Sequence, residues 1–360
     1  MSRLKEPAFP PPRIDLSRLK RRLDVVNEFS ADPSRPGVNR PSFSRADMAA
    51  RRWLMDEMTA PGLEARMDTV GNVIGRWKTG TGPAVMVGSH LDSVPLGDDS
   101  TARSGVIAAL ECVEACMDHD VTPASPIEVV ATSEEEGRFG GMLGAQAMAG
   151  QVDRQWFDEA VDENGVRLAD AMSAAGLDPA ACPAARRPPG EIGAFLELHI
   201  EQGPVLEHAG RTIGIVEGIS GVFNWAVVFE GEANHAGTTP MDLRRDSFRG
   251  LADFAHDIDD IIAEAGTPAT RLTIGKVDLS PNYPHTVPGR TEFVLIGRDL
   301  DLEVMRTLAD ACRERLRRVA DTHGLGVTIT EASWLPPTRC HADIVAAFSA
   351  RPKDSVSMRC

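Results

Sequence analysis

The sequence predicts an α/β protein of two domains, on three observations. Short β-branched runs alternate with helical periodicity through the first part of the chain. From residue 210 the order changes to β-β-α-β-β-α. The length, 360 residues, exceeds the ~100–200 residues of one ordinary domain.

Residues 1–45 read as a helix followed by a polar, proline-containing loop, and residues 45–60 place apolar side chains at helical spacing. VIGRW, AVMVGSH and IEVVATS read as buried strands, and GVIAALECVEACM and LGAQAMAG as helices, which predicts a partly parallel sheet. In the second part RTIGIVEG, FNWAVVFEGEA, RLTIGKVDLS and TEFVLIGRDL are strand-like. SFRGLADFAHDIDDIIAEAG and LEVMRTLADACRERLRRVADTHG are amphipathic helices. Four strands and two helices in that order suit an α+β sandwich with helices on one face. WLPPTRCHADIVAAF then returns to helix-like sequence, so the sandwich is read as an insertion. The expected boundaries are 1–209, 210–331 and 332–360.

Thirty-eight basic against 53 acidic residues give a net charge of −15. Without a basic stripe, that balance excludes nucleic acid as a partner. No apolar run approaches the ~20 residues that cross a bilayer, so no membrane partner is expected. The start, MSRLKEPAFPPPRIDL, lacks a secretory apolar segment. Six scattered cysteines without a CxxC pair suggest reduced thiols in a cytoplasmic protein.

Five places carry candidate chemistry. In VGSHLDSVP, His90 and Asp92 are two apart and emerge on one face of an extended segment. A neutral imidazole there binds a metal while the carboxylate orients it; a buried structural histidine is the plainer reading. In TSEEEGRFGG, three glutamates after a buried strand are costly to place together unless a cation offsets their charge. One of them then serves as general base toward a water; a solvated acidic loop is the alternative. The remaining three are His199 in ELHIEQGPVLE, His235 in NHAGTTPMDLRRD, and SPNYPHTVPGR followed by Arg298 in LIGRD. Singly these read as core histidine, turn histidine and surface arginine. Their coincidence at strand ends makes metal-assisted hydrolysis the leading class.

In this order the motifs resemble the amidase/hydantoinase–carbamoylase family of zinc aminopeptidase-like metallohydrolases, which includes N-carbamoyl-L-amino acid hydrolases, allantoate amidohydrolases and β-ureidopropionases. The likeness runs from about residue 15 to 345, with ELHIEQGPVLE and HAGTTPM its most specific parts. It implies an aminopeptidase-like catalytic domain with a mixed sheet, interrupted by a lid domain through which the chain forms a homodimer. It implies two divalent ions per subunit, zinc or manganese, cobalt or nickel. His90 and His199 would ligate one and Glu136 the other. Asp92 would orient His90, Glu135 would be the general base, and His235 would stabilise the oxyanion. Gln202, Asn282, His285 and Arg298 would contact a small-molecule substrate, the arginine suiting a carboxylate. The function implied is hydrolysis of a non-peptide C–N bond in a small N-carbamoyl or ureido acid.

Several positions depart from the family pattern. EEEGRF lacks the residue that usually separates the glycine from RF, His285 stands where an asparagine is usual, and Ile296 replaces the aspartate two before Arg298. The family places a bridging carboxylate in a pattern like GGxxDGxxGV, where this chain reads GDDSTARSGV, with Thr101 at the aspartate position and Ala102 at the following glycine. Two cations close together repel strongly without that anion. The family also continues into a GAGHDA-like segment, whereas here the last residues are SARPKDSVSMRC, which reads as a C-terminal truncation. Two rivals therefore stay open: a catalytically impaired relative that binds a ligand or partner subunit, and a dipeptidase or aminoacylase of the same superfamily.

A pair of compensating frame shifts would account for the first large departure. With a suitable choice of codons, DNA that encodes Gly-Arg-Leu-Asp-Gly-Ala-Leu-Gly in one frame encodes Asp-Asp-Ser-Thr-Ala-Arg-Ser one base over, which is the run from Asp98 to Ser104. Resequencing the gene through Gly97–Gly105 is expected to restore an aspartate followed by glycine. Codons that reproduce Asp98 to Ser104 would overturn this.

Overall fold

The structure, a computed structural model, describes residues 11–32, 34, 37–94 and 103–350, and the backbone of 355–358. Two compact units divide between Gln202 and Gly203.

The first unit contains, in chain order, α1 (Leu16–Glu28), α2 (Arg45–Thr59), β1 (Glu64–Met67), β2 (Val73–Trp77), β3 (Ala84–His90), α3 (Arg103–Asp118), β4 (Ile127–Thr132), α4 (Leu143–Ala149), α5 (Arg154–Glu159), α6 (Leu168–Ala174) and β5 (Ile192–Leu196). Asp15 caps α1 by accepting from the Ser17 and Arg18 amides, and Ser44 caps α2 by accepting from Asp47 N. The sheet order is β1-β2-β4-β3-β5. β2 is antiparallel to β1 and β4, and β3 is parallel to β4 and β5. This is the mixed sheet the resemblance implies. Successive residues of β4 feed opposite faces: Val129 and Ala131 pack with Leu54, Met58, Ile107 and Leu110 from α2 and α3, while Val130 packs with Ile74, Met86 and Met148.

An ionic clamp holds α1 to α3. Arg22 reaches Glu114 at 2.5 Å and Glu57 at 2.7 Å, and Arg18 reaches Glu111 at 2.6 Å. Arg22 and both α3 glutamates are buried, so each charge depends on its partner.

The second unit contains α7 (Val205–Ala209), β6 (Ile213–Val216), β7 (Gly218–Ile219), β8 (Gly221–Glu230), β9 (Asn234–His235), α8 (Ser247–His256), α9 (Ile258–Ala265), β10 (Arg271–Ser280), β11 (Thr286–Val287), β12 (Arg290–Asp299), α10 (Leu302–His323), β13 (Gly326–Leu335), β14 (Thr338–Arg339), α11 (Ala342–Ser349) and β15 (Ser355–Met358). Its main sheet, β10-β12-β8-β13, is antiparallel throughout. Phe223, Trp225, Val227 and Phe229 of β8 and Phe293 and Leu295 of β12 bury one face against Phe254 of α8 and Met305, Leu308, Cys312 and Leu316 of α10. The sandwich thus forms, with two differences from expectation. RTIGIVEG is not its fourth strand: β6 pairs in parallel with β15, and β13 takes the place beside β8. The expected single helix over 247–266 breaks at Asp257, whose carboxylate pairs with Arg315 at 2.8 Å and Arg318 at 3.5 Å. The three-part division at 209/210 and 331/332 stays a proposal, and β13 runs across the second of those boundaries. Among the described residues, no helix is long and apolar enough to cross a membrane.

Arg22→Ala should destabilise the chain by up to about 3–5 kcal/mol, the usual cost of breaking a buried ion pair, with Arg18 still 2.8 Å from Glu114. Urea unfolding followed by circular dichroism reads it, and a loss within that of an exposed-pair control such as Lys20→Ala would refute the clamp.

Candidate active site

His90 is the last residue of β3 and lies opposite Thr132, the last of the parallel strand β4. Ligands in open α/β sheets gather at such carboxyl ends. The ring is buried, and its Nδ1 lies 3.0 Å from the Asp92 carbonyl oxygen. A carbonyl only accepts, so Nδ1 donates, and in the neutral ring Nε2 keeps a lone pair. Nε2 faces Glu135 Oε2 at 3.2 Å and Glu136 Oε1 at 3.9 Å. One ligand atom from each of His90, Glu135 and Glu136 lies within 4.8 Å of the others. One imidazole nitrogen and two carboxylates, half open to solvent, suit a divalent cation.

Asp92 is buried directly behind this trio. Its Oδ2 accepts from Ser42 Oγ at 2.8 Å and from the Glu135 and Glu136 amides at 2.9 and 3.1 Å. Its Oδ1 lies 3.6 Å from His90 Nδ1 and 3.7 Å from Arg51 Nη2. The expected orienting contact to His90 is therefore made by the Asp92 main-chain oxygen, while the carboxylate acts on the ring through its charge. Burial pushes the Asp92 carboxyl up, but the His90 ring and its charge, Arg51 and the Glu136 amide outweigh it and hold the group at about 2. Burial likewise disfavours a charge on His90, yet Asp92, then Glu135 and Glu136, raise its affinity for a proton. The Glu135 carboxyl is raised chiefly by burial.

Glu134 turns away from the trio. Its φ is +53° and its Oε1 accepts from the Phe139 and Gly141 amides at 2.6 and 3.3 Å, which closes the loop. Gly140 completes that loop at φ +132°, where a Cβ would sit 2.5 Å from Trp156 Nε1. Of the three glutamates in the run, the fold presents the second and third to His90.

The other expected residues are placed as follows. His199 is exposed with Nδ1 2.6 Å from the Ile200 oxygen, and is not part of the three-donor group. Gln202 is exposed. Thr101 and Ala102, the bridging position, lie outside the described residues. In the second unit His235 lies opposite Thr286, the Ala236 amide donates to the His285 oxygen at 2.9 Å, and Asn282 sits three residues earlier at φ +49°. His235, Asn282 and His285 thus share one end of the sheet. Arg298 does not join them. It lies opposite Val222, whereas Arg290, at the other end of β12, lies opposite Glu230. Eight residues of strand separate those ends by about 26 Å, so the expectation that His235 and Arg298 close together on one small substrate is corrected within a single chain.

Sequence reasoning missed Ser42, Asp47 and Arg51, which stand behind Asp92. The four-residue spacing of Asp47 and Arg51 was the available signal.

The sequence pattern of peptidase family M20/M25/M40 matches residues 86–351. The N-carbamoyl-L-amino acid amidohydrolase of Geobacillus stearothermophilus is 41% identical over 329 residues, covering 90% of this chain and 79% of that protein. The allantoate amidohydrolase of Escherichia coli (strain K12) is 34% identical over 331 residues, covering 91% and 80%. A crystal structure of an amidase (hydantoinase/carbamoylase family) from Burkholderia phymatum superposes with TM-score 0.89 at 33% identity, covering 98% of this chain and 87% of that one.

A divalent ion should bind at the trio. Equilibrium dialysis of the chelator-stripped chain against cobalt is expected to show uptake that His90→Ala abolishes; equal uptake by the variant would place the ion elsewhere.

Proposed function

Since the chain belongs to peptidase family M20/M25/M40, we propose that it is a metal-dependent amidohydrolase cleaving a non-peptide C–N bond of a small N-carbamoyl or ureido acid. The names of its relatives support the substrate class. The observation that carries the mechanism is the convergence of His90 Nε2, Glu135 and Glu136 at the ends of β3 and β4.

His90 and Glu136 would hold the ion, with zinc, manganese, cobalt and nickel all compatible with an imidazole–carboxylate set. Such an ion polarises a carbonyl and makes water more acidic. Glu135, raised by burial, takes the proton of the attacking water and delivers it to the leaving nitrogen. Asp92 keeps the His90 segment and the glutamate loop in register. The family likeness implies instead one ion on His90 and His199 and a second on Glu136, which needs His199 to join the group. His235 is assigned to the developing oxyanion, and Gln202, Asn282, His285 and Arg298 to substrate. A cytoplasmic location accords with the scattered thiols, whose five described members are free.

The separation of His235 from Arg298 along the sheet supports a homodimer, in which the two residues of one chain serve different substrates. Mixing His235→Ala with Arg298→Ala is then expected to recover part of the activity that each lacks alone. No recovery in a demonstrated mixed dimer would count against shared sites.

The closing assay sets N-carbamoyl amino acids and allantoate beside dipeptides, with and without added metal. Metal-dependent turnover of the first two is expected, reduced about 10²–10⁴-fold by Glu135→Gln. Dipeptide cleavage alone would favour a peptidase. Ion binding without any turnover would favour an impaired relative, the reading to which the exposure of His199 lends support.

A further inference from the structure

Arg51 is fully buried in α2 and forms no hydrogen bond to His90, Glu135 or Glu136 among the described residues. Its contacts nonetheless reach every segment that carries them. Nε donates to both Asp47 oxygens at 2.9 and 3.0 Å. Nη1 donates to the Gly71 oxygen at 2.9 Å, and both terminal nitrogens donate to the Thr132 oxygen at 3.2 Å. Thr132 ends β4, two residues ahead of the first glutamate of the run. Nη2 also lies 3.7 Å from Asp92 Oδ1. Asp47 Oδ2 in turn accepts from the Phe43 amide at 2.9 Å, next to Ser42, whose hydroxyl donates to Asp92.

One rigid fork therefore fixes the end of β4, the segment ahead of α2 and the charge behind His90. A guanidinium does this through its planar set of donors, which an ammonium cannot reproduce. Partners behind metal ligands set both ligand direction and affinity. We propose that Arg51 is the positioning residue that presets His90, Glu135 and Glu136 for a divalent cation, acting through Asp92 and the last carbonyl of β4. This rests on the metal reading given above and deepens it: the cation site is held from α2, an element that supplies no ligand.

The test is a titration of the chelator-stripped full chain with cobalt, read by calorimetry and by the visible absorption of the bound ion. Arg51→Lys keeps the charge and loses the fork. It is expected to weaken cobalt binding about 10–100-fold and to alter the absorption band, with far-ultraviolet circular dichroism unchanged. In an Asp92→Asn background the further effect of Arg51→Lys should shrink, because the two act in one chain of contacts. If lysine prevents folding, Asp47→Leu combined with Arg51→Met replaces the ion pair by apolar side chains, an exchange buried pairs often tolerate, and the same weakening is expected. Wild-type affinity and an unchanged spectrum in a folded Arg51 variant would overturn the positioning role while leaving the metal reading intact. An equal loss with and without Asp92 would reduce Arg51 to a general structural part. Absence of cobalt binding by the wild-type chain would overturn both readings.

Discussion

The buried carboxylate of Asp92 is the constraint around which the first unit is arranged. A charge removed from water costs several kcal/mol unless hydrogen bonds and opposite charge replace the solvent. Here the replacements come from separate parts of the chain: Ser42 ahead of α2, the Glu135 and Glu136 amides after β4, and the guanidinium of Arg51. Satisfying one anion therefore fixes three segments relative to the end of β3. The carboxylates of Glu135 and Glu136 follow, because their own amides are the donors. Two carboxylates directed at one imidazole repel each other unless a cation or proton lies between them. Among the described residues, His90 supplies the one nitrogen of that group.

The sheet explains why the trio gathers where it does. β1 and β2 run antiparallel to their neighbours, but β4, β3 and β5 are mutually parallel, so their carboxyl ends open on the same side. Loops at that edge need not serve as tight hairpins and are free to carry chemistry. Glu197, just beyond β5, joins the same edge by accepting from Ser89 Oγ at 2.6 Å. His199 follows two residues later but stays exposed. The strand order brings its segment to the right edge without seating its ring.

Much of this was legible because the signals were local. His90 and Asp92 lie two apart at the end of an apolar run, and the glutamates follow another such run. Which glutamates face the histidine depended on the positive φ of Glu134, a tertiary choice that spacing does not reveal. β1 is short, with alternating half-exposed residues, and offered little apolar signal. Strand pairing was also hidden: RTIGIVEG has a strand's composition, but nothing in it says that β15 rather than β8 is its neighbour. Asp47 and Arg51 lie four apart on α2, and only the fold turns that face toward Asp92.

The second unit shows how sequence distance misleads in a strand. Thirteen residues separate His285 from Arg298, few enough to suggest one binding patch. β12 is fully extended between them, and its pairing with β8 puts Arg290 by Glu230 and Arg298 by Val222. At about 3.3 Å per residue the strand carries Arg298 well past the reach of any side chain on the His235–Asn282–His285 end. Bending the strand would break its ladder with β8 and β10 and open the core of Phe223, Trp225 and Phe293. A small substrate contacts one end or the other of a given sheet, and residues at both ends act on the same substrate only when two chains contribute.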